Sequence, residues 1–76
     1  MLHTVLYAPR RDGPPARFYR VEVTDNLFGE YSVLREWGAA GRGGRRAVQW
    51  CANLREACVT ADGWVRRARR RGFRHP

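Results

Sequence analysis

The chain has 76 residues, which limits it to one domain. A domain this short buries only about 60% of the surface that its unfolded chain exposes. Its large apolar residues are therefore needed for the core, and little room remains for a deep catalytic pocket. The apolar fraction of 43%, including three tryptophans, excludes a disordered chain. All 15 cationic side chains are arginines, and with seven acidic residues they give a formal charge of +8. This charge attracts polyanions, nucleic acid first and anionic lipid second.

The sequence also limits location and chemistry. It has no apolar stretch of about 18 residues that could span a membrane, and residues 1–8 lack the basic start of a signal peptide. We therefore expect a cytoplasmic monomer that does not engage a membrane. Cys51 and Cys58 are expected to be free thiols that pack as small apolar groups. His3 and His75 lie at opposite ends of the chain, so we expect no metal site and no cofactor.

Four segments favour extended structure, and the connections between them are rich in turn residues. The predicted strands cover residues 2–8, 17–24, 30–37 and 45–51. A proline-rich loop at 9–16, a turn at 25–29 and a glycine-rich connection at 38–44 separate them. The last three strands read as an antiparallel meander.

Alternation along two of these strands predicts which side chains share a face. In the second strand Tyr19, Val21 and Val23 point the same way. In the third strand the shared face holds Tyr31, Val33, Arg35 and Trp37. The face of Trp50 stays open, because a single bulge would reverse it.

A helix follows the strands. Asn53 and Glu56 fit a capping box, and an apolar stripe then runs to residue 68 through Leu54, Ala57, Cys58, Ala61, Trp64, Val65 and Ala68. Gly72 suits the position just beyond the helix. The sequence therefore predicts an α+β domain over residues 1–76: an antiparallel sheet of about four strands with one C-terminal helix packed on one face. Residues 69–76 form a basic tail that could be flexible.

Several motifs resemble the WGR domain. The segments Arg17-Phe18-Tyr19-Arg20 and Tyr31-Ser32-Val33 are similar to that family. So is the stretch from Trp37 to Gly44, where the family has approximately Trp-Gly-Arg-x-Gly-x-x-Gly. The tryptophan and three glycines keep their spacing, and the capped helix and the Arg71-Gly72-Phe73 tail follow at the expected distances. The similarity covers about residues 2–74.

The resemblance implies a small sheet-plus-helix module with no active site of its own. Such modules occur in poly(ADP-ribose) polymerases, where they bind DNA ends and contact neighbouring domains, and as short bacterial proteins. Two positions depart from the family pattern: Ala39 replaces the signature arginine, and Pro14-Pro15-Ala16 occupies a stretch where the family often has an asparagine that can contact nucleic acid.

Arginine clusters and one tryptophan are the candidate binding residues. Residues 63–76 hold six arginines and no acid, more than a helix dipole needs, and such clusters neutralise phosphates well. Trp37 can either pack in the core or stack on a base or sugar, and the pattern leaves both open. The predicted nucleic-acid-binding residues are Trp37, Gly38, Arg35, Arg42, Arg45, Arg46, Arg70, Arg71 and Arg74.

The sequence contains no grouping of nucleophile, base and acid that indicates catalysis, so we expect no enzyme activity. DNA is the expected partner, and an RNA-binding module is a separate, third hypothesis. The alternative is a protein-interaction adaptor whose basic face binds an acidic protein, because the same arginines would serve either partner.

Overall fold

The structure, a computed structural model that describes residues 2–26 and 28–76, has four strands followed by one helix. The strands are β1 (Leu2–Ala8), β2 (Arg17–Asp25), β3 (Tyr31–Ala39) and β4 (Arg45–Cys51), and the helix is α1 (Leu54–Arg70). The strands form one antiparallel sheet in the order β1-β2-β3-β4, and α1 lies across one face of it. The predicted α+β class and helix position are confirmed. The described residues contain no helix long and apolar enough to cross a membrane.

Strand β3 is longer than its sequence pattern predicts. The expected end at Trp37 is wrong by two residues, because Gly38 pairs with Phe18 and Ala39 pairs with Arg17. A further backbone hydrogen bond, from the Ala40 amide to the Ala16 carbonyl at 2.8 Å, continues this contact. The Trp37-Gly38 pair of the motif therefore lies within the sheet, where the ladder fixes the direction of the tryptophan.

The glycines near Trp37 allow two backbones to approach closely. A Cβ atom added to Gly38 would lie 2.9 Å from the Gly44 Cα atom, and one added to Gly44 would lie 2.8 Å from the Trp37 carbonyl carbon. Real Cβ atoms do not come this near to backbone. Gly38 and Gly44 therefore let the turn after β3 fold tightly against the end of that strand.

Replacing Gly44 with alanine should lower the free energy of unfolding by about 1–3 kcal/mol, the usual cost of forcing a methyl group into filled space. Gly43→Ala is the matched control, since a Cβ at Gly43 meets nothing within 4 Å. Urea unfolding of both variants measures the difference. Equal stability of the two variants would show that the close approach is not a constraint.

The turn between β2 and β3 is organised by one side chain. The Asn26 side-chain oxygen accepts hydrogen bonds from the Phe28 amide at 2.8 Å and the Glu30 amide at 3.1 Å. Such side-chain-to-backbone bonds are the reason asparagine favours turns. The turn predicted at 25–29 also includes Leu27, which lies outside the described residues.

The predicted helix caps are both present. The Asn53 side chain accepts from the Glu56 amide at 2.9 Å, and the Glu56 carboxylate accepts from the Ala52 amide at 3.1 Å, one residue before the usual partner. At the other end Gly72 has a positive φ of 101°. Its amide donates to the Arg69 carbonyl at 3.0 Å, while the Phe73 amide donates to Ala68 at 3.1 Å. This pair of bonds is a Schellman motif.

The chain after α1 is held against the sheet. Phe73 is buried beside Tyr19, with ring centroids 5.7 Å apart. Arg74 pairs with Tyr7 through two backbone hydrogen bonds of 2.7 Å. The segment predicted as a basic tail is thus anchored as far as residue 74, and it closes the end of the core.

The core lies between α1 and the sheet. It consists of Leu6, Tyr19, Val21, Val23, Val33, Cys51, Ala57, Ala61, Trp64, Ala68 and Phe73. Three of the four buried helix residues are alanines, so α1 can lie close to the strands.

The buried stripe of α1 is narrower than predicted. Cys58 is exposed, so its expected packing is wrong, and Leu54 is 43% exposed. Both residues lie at the margins of the helical arc that faces the sheet. Cys51 is buried as expected, and neither thiol forms a disulfide.

Candidate nucleic-acid interface

Arg35 is held between two tryptophans on the helix-covered face of the sheet. Its guanidinium carbon lies 4.6 Å from the centre of the Trp64 ring and 5.3 Å from that of the Trp37 ring. Cation–π contacts of this kind contribute from about 0.5–1 kcal/mol when exposed to about 2 kcal/mol when desolvated. They fix the position of a cation that would otherwise be costly to place beside the core.

Trp37 is partly buried and borders the core without belonging to it. Its ring stacks against Tyr19 at 6.3 Å, with the two planes inclined by 24°. In the sheet ladder Trp37 lies between Tyr19 and Arg45. One side of the indole is therefore supported by the core, and the rest faces cavities at the surface.

The first cavity next to Trp37 has a volume of about 230 Å³ and is called the Arg35 pocket. It opens between α1 and the sheet. Its lining residues are Tyr19, Arg35, Trp37, Arg67, Ala68 and Arg71. Three arginines and no acidic residue line it, so its electrostatic potential favours an anion.

The second cavity lies on the other side of Trp37 and is called the glycine-loop pocket. It is a shallower groove of about 510 Å³, lined by Arg17, Trp37, Gly38, Gly43, Gly44 and Arg45. Its lining includes the closely approaching glycines at 38 and 44 and two arginines. Trp37 thus separates two basic cavities.

The structure brings together only some of the predicted site residues. Five of them line the two pockets: Arg35, Trp37, Gly38, Arg45 and Arg71. Arg42 lies in the exposed turn next to the glycine-loop pocket, and Arg70 is exposed on α1. Arg74 donates to the backbone carbonyls of Arg69 and Phe73 at 2.7 and 2.9 Å, so its side chain helps to close the helix end.

Arg46 lies on the opposite, helix-free face of the sheet. There it forms an ion pair with Glu36 at 3.2 Å, and Glu36 also pairs with Arg20 at 2.7 Å. The hydrogen bonds from Arg20 and then Arg46 lower the pKa of the Glu36 carboxyl below its ordinary value. Alternation explains this position, because Arg45 and Arg46 are neighbours in one strand and must point to opposite faces.

Acid should weaken the fold partly through Glu36. Because its pKa is lowered in the folded state, the ionised carboxylate stabilises the fold above the ordinary carboxyl pKa of about 4.3. That contribution is lost as the pH falls through the lower folded value. When the urea concentration at half-unfolding is plotted against pH, the decrease on the acidic side (the acid limb) should therefore be shallower for Glu36→Gln than for the parent. Asp12→Asn, which removes one carboxylate from the exposed 9–16 loop, is the control. An unaltered acid limb in Glu36→Gln would contradict this account.

Six residues that line the pockets were not among the predicted site residues: Arg17, Tyr19, Gly43, Gly44, Arg67 and Ala68. Arg17 and Tyr19 share a strand face with the core residues, which alternation indicates, but their position beside Trp37 depends on the register of β2 with β3. Arg67 follows Trp64 by three positions and precedes Arg71 by four, the spacing that puts side chains on one helical face. That spacing was a usable signal for Arg67.

These features define a small α+β module in which one partly buried tryptophan stands between two arginine-lined cavities. The sequence profile of the WGR domain matches residues 5–76, and the chain belongs to that family. It is also similar to an uncharacterized protein, y4dW, of Sinorhizobium fredii (strain NBRC 101917 / NGR234), with 34% identity over 71 residues. The 71 aligned residues cover 91% of this chain and 35% of that protein, so the chain spans about a third of the relative's length. No solved structure matches the chain.

Proposed function

We propose that this WGR domain binds nucleic acid, DNA in the first instance, and has no catalytic activity of its own. The observation that carries the proposal is the position of Trp37 between the Arg35 pocket and the glycine-loop pocket. A planar aromatic ring next to cations on both sides suits a nucleotide chain, which presents a base or sugar between successive phosphates.

The distribution of charge supports this orientation. The residues lining the two pockets include Arg17, Arg35, Arg45, Arg67 and Arg71 and no acidic residue. Glu22 and Glu36, by contrast, pair with arginines on the helix-free face. Five arginines that form no salt bridge among the described residues therefore surround Trp37. Phosphate contacts of this kind position a protein without selecting a sequence.

The affinity for duplex DNA should fall steeply with salt. If the arginines neutralise four to six phosphates, log K should decrease with log salt with a slope of roughly −4 to −5. Fluorescence anisotropy with a labelled duplex measures this slope. A double variant, Arg45→Gln with Arg71→Gln, should reduce it by about 2, whereas Arg46→Gln, on the opposite face, should change it less. Affinity that does not vary over a fourfold rise in salt would refute the electrostatic mode.

The same assay separates DNA binding from the alternatives. Competition with single strands and with RNA shows which polymer the pockets prefer. Absence of binding to every nucleic acid at about 150 mM salt, the physiological level, would reject the proposal and favour an acidic protein as the partner of this face.

A further inference from the structure

We infer that the Arg35 pocket is a discrete site for one phosphoryl group, bound by the guanidinium groups of Arg35, Arg67 and Arg71. The inference rests on the proposed function, because it names the place where one phosphate of a bound nucleotide chain is held. It goes beyond that function in assigning a small-anion site that works without a polymer. It also assigns a binding role to Arg67, which was not among the predicted site residues.

Arg35 lacks an anionic partner within the described part of the chain. Its guanidinium takes part in none of the salt bridges there, and its Nε atom is buried with no hydrogen-bond acceptor. A buried donor left unsatisfied is destabilising, and the two indoles offset this only in part. An arginine kept in place without a partner loses little conformational freedom when an oxyanion arrives.

Arg67 and Arg71 provide two further cations from α1 and its C-cap. The Arg67 Nε atom donates to the Gly63 carbonyl at 3.3 Å, which directs the side chain along the helix. Neither residue forms a salt bridge among residues 2–26 and 28–76. The C-terminal end of a helix carries a partial charge of only about −0.5. Three full positive charges outweigh it, so the site still attracts an anion.

The size of the pocket selects the ligand. At about 230 Å³ it is smaller than the roughly 300–1,000 Å³ of sites that enclose whole small molecules. It therefore suits a charged fragment, with the attached sugar or base lying outside and next to Trp37. Guanidinium groups bind phosphate oxygens through paired, charge-assisted hydrogen bonds, and three of them match the several oxygens of a phosphoryl group.

Binding of inorganic phosphate to the ¹⁵N-labelled protein tests the inference directly. Phosphate is titrated against a chloride control of equal ionic strength, and the three indole N–H signals are followed. Saturable shifts are expected for Trp37 and Trp64, whose rings contact Arg35. Trp50, 64% exposed on the opposite face of the sheet, should not move. Shifts that do not saturate, or that chloride reproduces, would overturn the inference.

Variants with equal loss of charge separate the site from general attraction. Arg67→Gln and Arg71→Gln should each weaken phosphate binding at least about tenfold, which is what loss of a charge-assisted hydrogen bond implies. Arg69→Gln is the control: it removes the same charge from α1 but lies about 200° around the helix from both residues. All three arginines are exposed, so the variants should fold. Weakening by Arg69→Gln as large as by Arg67→Gln would overturn the inference.

Two further ligands identify the source of the phosphoryl group. If an oligonucleotide with hydroxyl ends shifts the same indoles and competes with phosphate, the site holds an internal phosphodiester. If only a nucleoside 5′-monophosphate does so, the site holds a terminal or free phosphate. DNA binding that is indifferent to phosphate and to Arg67→Gln would reject this site and leave the proposed function standing. Phosphate binding without DNA binding would reject the proposed function and leave the phosphate site standing.

Discussion

Replacing Trp64 with alanine should lower the free energy of unfolding by about 3–5 kcal/mol, a large share of what the domain has. The indole is only 6% exposed and lies 4.6 Å from the Arg35 guanidinium. Removing a buried tryptophan costs about 3–5 kcal/mol. At the usual 0.05–0.15 kcal/mol per residue, a domain of this size has about 4–11 kcal/mol in total. The variant also removes the nearer aromatic partner of the partly buried Arg35, which adds to the loss.

Circular dichroism during urea unfolding measures this effect, with Trp50→Ala as the matched control. Trp50 is 64% exposed, so its removal should change the free energy of unfolding by no more than about 0.5 kcal/mol. If Trp64→Ala unfolds at the same urea concentration as the control, the central place of Trp64 in the core is wrong.

Replacing Trp37 with alanine should affect binding more than folding. Stacking of a base on an aromatic ring contributes about 1–3 kcal/mol, so DNA affinity should fall roughly 5- to 150-fold. Because Trp37 is only partly buried and packs beside the core, the loss of stability should be smaller than the 3–5 kcal/mol typical of a buried aromatic residue. The loss of stability that is still expected comes from the stacking contact with Tyr19, whose ring centroid lies 6.3 Å from that of Trp37.

Binding of Trp37→Ala is measured by anisotropy under conditions where unfolding curves show the variant to be folded. Trp37→Phe keeps a smaller ring in place and should lie between the parent and Trp37→Ala. Trp50→Ala removes an indole from the helix-free face and should bind as the parent does. A folded Trp37→Ala variant with undiminished affinity would leave the arginines alone to carry binding.

The order and faces of the elements were predictable because they depend on local patterns. Alternation placed Val33, Arg35 and Trp37 on one face, and the ladder of β3 with β2 and β4 keeps that register throughout. The same ladder runs without a bulge to Trp50 and so settles its open face assignment in favour of the helix-free side. Asn53 and Gly72 marked the helix ends correctly, because capping is decided within a few residues.

The candidate site was harder to predict, because it depends on contacts between distant parts of the chain. Trp64 and Arg35 are far apart in sequence, so nothing local shows that the cation rests on that indole. Arg46 shares a cluster with Arg45 in the sequence, yet the strand separates them to opposite faces. Cys58 falls within the predicted apolar arc, but the sheet covers only the side of that arc that runs from Trp64 to Ala61. Tertiary packing decides the cases of Trp64 and Cys58, whereas the opposite faces of Arg45 and Arg46 follow from alternation within the strand.

Chemical-shift mapping of the three tryptophan indoles with a DNA duplex bearing a free 5′-phosphate end tests most simply whether Trp37 contacts nucleic acid. We predict that the Trp37 signal moves progressively as duplex is added, while the signal of Trp50, on the helix-free face, stays in place. Movement of Trp50 with an unchanged Trp37 would place any bound DNA on the wrong face and contradict the account.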